Sequence, residues 1–220
     1  MRVTLSWSGG KDAAWTLHRL RRTPGVEVVA LITTIVTAFQ RVAMHGVRVE
    51  PLRAQARAAG VPLVEVPLSW PSTNEEYEAR VGGALAALRA EQGVTHVAFG
   101  DLFLTDVREY RERMLQGSGL TPLFPLWKEP TDSLVNEMLA AGVEARIVCL
   151  DPKRVRRELA GRRIDAALLA ELSSQVDPCG ELGEFHTFVS AGPMLREPVP
   201  VAPGVVVERE GFVYADLMLA

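Results

Sequence analysis

Five consecutive residues near the start of the chain, Ser8-Gly9-Gly10-Lys11-Asp12, combine a hydroxyl, two glycines, an ammonium and a carboxylate. Adjacent glycines let a backbone bend tightly and bring N–H groups close to a ligand, where they bind anions. From Asp12 onward Ala13, Ala14, Trp15, Leu17, His18 and Leu20 follow helical spacing. The positive end of a helix dipole therefore points into the same turn, and Lys11 adds a full charge. Such a field suits a polyphosphate. A second polar concentration, Asp177-Pro178-Cys179-Gly180-Glu181-Leu182-Gly183-Glu184-Phe185-His186-Thr187, places three carboxylates, a thiol and an imidazole on a glycine-bearing loop. Three readings of it stand. Cys179, Glu181, Glu184 and His186 are all possible metal ligands, although the set lacks a standard zinc spacing. A carboxylate or His186 could instead recognise substrate and deprotonate an incoming ammonium. The third reading is a turn held by its own hydrogen bonds.

The first loop is neither of two better-known phosphate loops. A Walker A loop needs a glycine five positions before the Gly-Lys pair and a Ser or Thr after it, and this chain has Leu5 and Asp12 there. The dinucleotide fingerprint G-x-G-x-x-G is also absent.

The elements that must position these residues alternate between strand and helix. Val3 to Ser6 is an apolar strand ending at the loop, and Val26 to Thr34 is a nearly unbroken apolar run expected of a parallel strand covered on both faces. Helical stretches follow from about Pro51 to Ala59, stopping at Gly60, and from Asn74 to Glu91, stopping at Gly93. Strands are expected over Val61–Val66 and Thr95–Phe99. This alternation implies right-handed crossovers and an α/β fold with a doubly wound parallel sheet, whose ligands sit at the strands' carboxyl ends. That rule singles out Ser8 to Asp12, Thr33 and Gly100-Asp101. Asp101 could serve magnesium or a ribose, or cap the next helix. In that helix Arg108 and Arg111 lie three apart, either clamping an anion bidentately or pairing with Glu109 and Glu112. Pro122 to Trp127 reads as a buried connection, too proline-rich for a central strand.

From about residue 129 the pattern changes: helix over Leu134–Ala141, strand over Glu144–Leu150, helix over Ile164–Ser174, and a terminal hairpin turning at Arg209-Glu210-Gly211. The expected organisation is a polyphosphate-binding domain over 1–128 and a smaller C-terminal α+β subdomain for substrate recognition over 129–220. The run Lys153-Arg154-Val155-Arg156-Arg157, continued by Arg162-Arg163, reads as a solvated helix face or as a docking patch for an acidic partner or an RNA.

Composition excludes several classes. With 48% hydrophobic and 23% charged residues and no long apolar run, the chain reads as globular with no membrane role. A net charge of -3 gives no general reason to bind nucleic acid. Two cysteines, Cys149 and Cys179, make no disulfide scaffold, and an N-terminus that runs straight into a strand leaves no room for a signal peptide, so the cytoplasm is the expected compartment.

Ser8 to Asp12 resembles the pyrophosphate loop of the N-type ATP pyrophosphatases, which split ATP between the α and β phosphates; the usual closing serine is replaced by Ala13. Taken with Met44-His45-Gly46, Gly100-Asp101, Arg108 through Arg111, Pro125-Leu126-Trp127, Gly161-Arg162 and Gly180 to Thr187, the chain resembles the diphthine-ammonia ligase family, in a short bacterial-type branch. The resemblance implies an adenine nucleotide alpha hydrolase-like, Rossmann-like fold. It also implies an AMP-forming ligase using ATP and Mg2+ to adenylate a carboxylate, small-molecule or protein-borne, with release of pyrophosphate, after which ammonia drawn from free ammonium displaces AMP. Carried onto this chain, Ser6, Ser8, Gly9, Gly10, Lys11 and Asp12 would hold the phosphates. Thr33, His45, Gly100, Asp101, Arg108 and Arg111 would complete the nucleotide pocket, and Asp12 and Asp101 would meet magnesium. Lys11, Asp12, Asp101, Glu181, Glu184 and His186 would be the catalytic set. Diphthamide belongs to the archaeal and eukaryotic elongation factor, so a bacterial-type branch implies another carboxylate. A nucleotide hydrolase or an ATP sensor on the same fold are the competing readings, and Pro122–Trp127 with the terminal hairpin offers a surface for a homodimer.

Overall fold

The computed structural model describes residues 1–43 and 45–220; Met44, the first residue of the Met44-His45-Gly46 motif, lies outside the described residues. The first half of the chain runs β1 (Arg2–Ser6), α1 (Lys11–Arg21), β2 (Glu27–Val36), β3 (Arg41–Val42), α2 (Val49–Ala59), β4 (Leu63–Leu68), α3 (Asn74–Gln92), β5 (His96–Ala98), α4 (Thr105–Leu115) and β6 (Thr121–Leu123). β4, β2, β1, β5 and β6 form a parallel sheet, as the apolar strands separated by crossover helices require. Gly60 and Gly93 end α2 and α3 in the left-handed conformation that the sequence anticipates there. β1 pairs with β2 only as far as Ile32, while β4 pairs with Leu31 to Val36. The short antiparallel β3, bound to Ile35 and Val36, therefore occupies the β1 side of β2 just beyond the point where β1 stops. It overhangs the loop that follows β1.

The second half comprises α5 (Thr131–Ala140), β7 (Glu144–Leu150), α6 (Ala166–Glu171), β8 (Phe185–Ala191), β9 (Val201–Arg209) and β10 (Phe212–Leu219). Its antiparallel sheet has the order β8-β7-β10-β9. One apolar core joins it to the first half: Trp7, Trp15, Leu17 and Leu52 pack with Ile147, Leu150, Phe188 and Val189. Burying each such side chain contributes about 1.5–3 kcal/mol. The opposite face of the large sheet packs Val81, Leu85 and Leu88 of α3 against Ile32, Val66 and Val97. α1 and α2 thus lie between the two sheets, with α1 against β8 and α2 against β10.

Three expectations are corrected. Pro122 sits inside a strand, β6, which the sheet tolerates because β6 is its edge and the ring need not donate. The helix expected over Ile164–Ser174 is only Ala166–Glu171: Ile164 N–H bonds to the Ala145 carbonyl, and Asp165 caps the helix by accepting from Leu168 N–H at 2.7 Å. The basic run is not a helix face beyond a single 3-10 turn at Arg157–Leu159. Four of its five arginines pair with carboxylates of the same chain, Arg156 and Arg162 with Glu171, Arg157 with Glu208 and Arg163 with Glu144, and Arg154 donates to the Leu182 carbonyl. Among the described residues no helix is long and apolar enough to cross a membrane.

Candidate nucleotide-binding crevice

The carboxyl ends of β1, β2 and β5 open into one cavity of about 780 Å³, roofed by the 179–187 segment. Pockets of roughly 300–1,000 Å³ hold small-molecule ligands. Ser6, Ser8, Gly10, Lys11 and Asp12 line it from β1 and α1, Thr33 from β2, and Gly100, Asp101 and Arg111 from β5 and α4.

The loop after β1 is built by partners from far along the chain. Gly10 N–H donates to Ser8 Oγ at 3.2 Å and Lys11 N–H to Thr187 Oγ1 at 3.1 Å, so the two amides expected to be bare are engaged by hydroxyls. Ala14 N–H closes on the Gly10 carbonyl, which leaves Asp12 and Ala13 as first-turn donors the helix itself cannot satisfy. Gly9 does not face the cavity: it takes φ 81° between Leu52, Gln55 and Phe188, and its carbonyl accepts from Val189 N–H and from Gln55 Nε2. Gly100 does face it, and a Cβ there would stand 3.0 Å from Ala13 N and Asp12 C. Only glycine lets β5 approach α1 this closely.

Lys11 is buried, with Nζ donating to both Asp12 oxygens at 2.8 and 3.0 Å and to the Cys179 carbonyl. Burial alone would drive off its proton, but Asp12 beside it and further negative groups hold its pKa above the usual value. The ammonium is thus a fixed positive charge. Across the cavity Asp101 Oδ2 and Arg111 Nε stand 3.6 Å apart, too far to hydrogen-bond, and both atoms are buried without a partner. Burial raises the Asp101 pKa, Arg111 opposes this, and Asp12 adds to it. Asp101 is thus held by a long ion pair to Arg111 with no hydrogen bond to Oδ2, and its carboxylate is close enough to that of Asp12 for the two to repel. Among the described residues no cluster of three or more His, Cys, Asp or Glu forms a cage; the two carboxylates of Asp12 and Asp101, both lining the crevice, are the kind of donor that magnesium uses together with phosphate oxygens. Thr33, also buried, lines the same space, and its hydroxyl has no hydrogen-bond partner.

The second polar loop divides its residues. Glu181 reaches down to accept from Leu102 N–H at 2.7 Å and from Phe103 N–H at 3.4 Å. Burial pushes its pKa up to about 7, with the two amides opposing. Glu184 is fully buried away from the cavity, accepting from Asp177 N–H at 3.0 Å. Cys179 Sγ faces the Thr131 carbonyl, and burial pushes its thiol up to about 12. These side chains diverge, which removes the zinc reading. His186 lines the cavity from β8, its ring 4.3 Å from that of His45. Burial lowers the pKa of both, His45 to about 4, so both imidazoles are neutral at pH 7.

Arg108 and Arg111 do not act as a pair. Arg108 bonds Glu112 at 2.8 Å and lies over Phe124 and Trp127, outside the cavity lining, whereas Arg111 donates to Tyr77 Oη at 3.0 Å within it. Sequence reasoning missed four supporting residues. Asp177 gathers the second loop, accepting from Thr131 Oγ1, Cys179 N–H and Glu181 N–H; an Asp two residues before a Cys-Gly turn is an Asx-turn signal that was there to read. Thr187, Gln55 and Tyr77 act through contacts distant in sequence, which no local pattern announces.

Comparison with known proteins adds two family matches and several relatives. A family model described as the diphthamide synthase N-terminal domain matches residues 1–122, and one described as the diphthamide synthase C-terminal domain matches residues 130–214. The chain is 26% identical over 230 residues to the diphthine–ammonia ligase of Rattus norvegicus, covering 91% of this chain and 83% of that protein. It is 25% identical over 248 residues to that of Homo sapiens, covering 99% and 89%. A match to the diphthine–ammonia ligase of Schizosaccharomyces pombe is 27% identical over 117 residues, 51% of this chain and 19% of the relative, so the chain matches about a fifth of that protein's length.

Proposed function

The chain belongs to the diphthamide synthase family, and we propose that it is an ATP-dependent ligase that adenylates a carboxylate, releases pyrophosphate and transfers ammonia to form an amide. The observation that carries this reading is the convergence on one crevice of a buried, charge-fixed Lys11 at a helix N-terminus with the Asp12 and Asp101 carboxylates. In this reading residues 1–128 bind the nucleotide and residues 129–220 recognise the acceptor.

Lys11 and the Asp12 and Ala13 amides hold the departing phosphates as preorganised donors. Thr33 and Arg111 also line the crevice, and in this reading they complete the wall against the nucleotide. Asp12 and Asp101 would hold magnesium, which would supply charge neutralisation for the leaving pyrophosphate. Glu181 and His186 line the same crevice; in this reading Glu181, whose pKa burial lifts to about 7, takes a proton from ammonium so that nitrogen attacks as free ammonia, and the neutral His186 shapes the acceptor pocket. Glu184 and Arg108 act as supports of the loop and of α4 and leave the catalytic and nucleotide-binding sets.

Phosphorus NMR of the protein with ATP, magnesium, ammonium and a small-molecule extract tests this. AMP and pyrophosphate that depend on extract and disappear in Lys11→Gln support the ligase. AMP and pyrophosphate without extract would make it an α-phosphate hydrolase, and tight ATP binding with no turnover would make it a sensor.

A further inference from the structure

The terminal hairpin reads from sequence as structural, yet it reaches the crevice. Cys149 on β7 is the cross-strand partner of both His186 on β8 and Tyr214 on β10. Directly opposed residues in an antiparallel sheet share a face, so His186, Cys149 and Tyr214 form one row across three strands. The far end of that row meets the overhanging segment of the large sheet: a Cβ on Gly46, which has φ 69°, would stand 2.6 Å from the Tyr214 ring. His45, one residue earlier, returns onto His186 and closes the circuit.

What holds this segment in place is a carboxylate from the hairpin. Arg41 and Arg48 are bridge partners, so two guanidiniums are brought side by side. Asp216, only 7% exposed, accepts from Arg41 Nη1 at 3.0 Å, from Arg48 Nε at 2.8 Å and from Arg48 Nη2 at 2.6 Å. Arg41 also donates to the Gly46 carbonyl at 2.6 Å, tying the same cation to the residue after His45. Without the carboxylate the two arginines repel and the segment loses its anchor. Burial works against ionisation of Asp216, yet the two arginines hold its pKa below the usual carboxylate range.

We propose that Asp216 is a positioning residue for the crevice: through Arg41 and Arg48 it fixes the segment that carries His45, so that the His45 ring meets His186. The proposal rests on the reading that this imidazole pair forms a wall of the reaction site. The hairpin thereby becomes part of the functional unit without touching substrate.

The chain has four histidines, His18, His45, His96 and His186, so imidazole NMR resonances are assignable with His45→Gln and His186→Gln. At fixed pH, Asp216→Asn is expected to move the His45 and His186 ring resonances while those of His18 and His96 stay, and Asp216→Glu is expected to bring the pair back toward the native positions. In the pyrophosphate assay Asp216→Asn lowers kcat by about 100-fold, as misplacement of a reacting group does, with ATP KM changed less than about twofold. Should Asp216→Asn not fold, Arg48→Gln removes half of the clamp from a side chain 43% exposed and moves the same two resonances. A folded variant with all four resonances unmoved overturns the proposal. Absence of pyrophosphate from the unmodified protein would sink the ligase reading alone, because the resonances still decide the positioning.

Discussion

The backbone N–H of Lys11 donates to Thr187 Oγ1 at 3.1 Å, across 176 residues of sequence. The Ser8–Asp12 loop of the large sheet is thus completed by a hydroxyl from the small one, and the shape of the loop depends on both halves. Thr187→Val keeps the volume and leaves a buried donor without an acceptor, a loss of about 1–3 kcal/mol. Urea denaturation should read that loss together with weaker ATP binding, and Thr187→Ser should recover most of both. Unchanged ATP affinity in a destabilised Thr187→Val would mean that the contact joins the halves without shaping the loop.

Lys11→Gln tests the charge at the centre of the crevice. The Nζ atom bridges the Asp12 carboxylate and the Cys179 carbonyl, so its ammonium both faces the ligand space and ties the roof to α1. Removing a preorganised donor of this kind costs about 100- to 1,000-fold in rate, and here the Asp12 carboxylate is also left uncompensated. Pyrophosphate release should fall at least that far while circular dichroism stays native. Retained turnover would place the phosphates elsewhere.

The parallel sheet was legible because its evidence is local and redundant. The apolar run of β2 and the Gly60 and Gly93 stops each announce themselves within a few residues. Ser8 to Asp12 and Glu181 to His186 were legible as polar concentrations, but which member faces the crevice was not. Glu184 and Glu181 are chemically alike in sequence, and only packing sends one into the core and the other onto the Leu102 amide. β8 was hidden for a related reason: Phe185, Thr187 and Val189 have strand character, yet the polar loop running into them masks where it starts. The pairing of His45 with His186 depends on β3 taking the vacant edge of β2 beyond β1, a matter of strand lengths that no motif encodes.

Gly100→Ala tests whether β5 and α1 must touch. The added Cβ would meet backbone atoms of Asp12 and Ala13 at 3.0 Å, and backbone cannot swing aside as a long side chain can. Overpacking of this kind costs about 1–3 kcal/mol. The strain falls on the two residues whose amides the helix leaves unsatisfied, so ATP affinity should drop with stability. A variant that is less stable yet binds ATP normally would show that the first turn of α1 absorbs the displacement without losing its donors.

Glu181 gives the stability of the protein a pH dependence whose sign can be worked out. Burial raises its folded-state pKa to about 7 from a usual value of 4.5, so the folded protein binds the proton more tightly than the unfolded chain does. Stability from this group is therefore full below pH 4.5 and is lost as pH rises through 7. Glu181→Gln keeps an oxygen for the Leu102 N–H and removes the titration. The melting temperature of the unmodified protein relative to that of Glu181→Gln should thus fall between pH 5 and pH 8. The pH profile of pyrophosphate release should also lose a step near neutrality in the variant, because the carboxylate facing the acceptor no longer changes charge. A melting-temperature difference that stays flat or rises over this range would mean that Glu181 is ionised throughout, with the Leu102 and Phe103 amides outweighing burial.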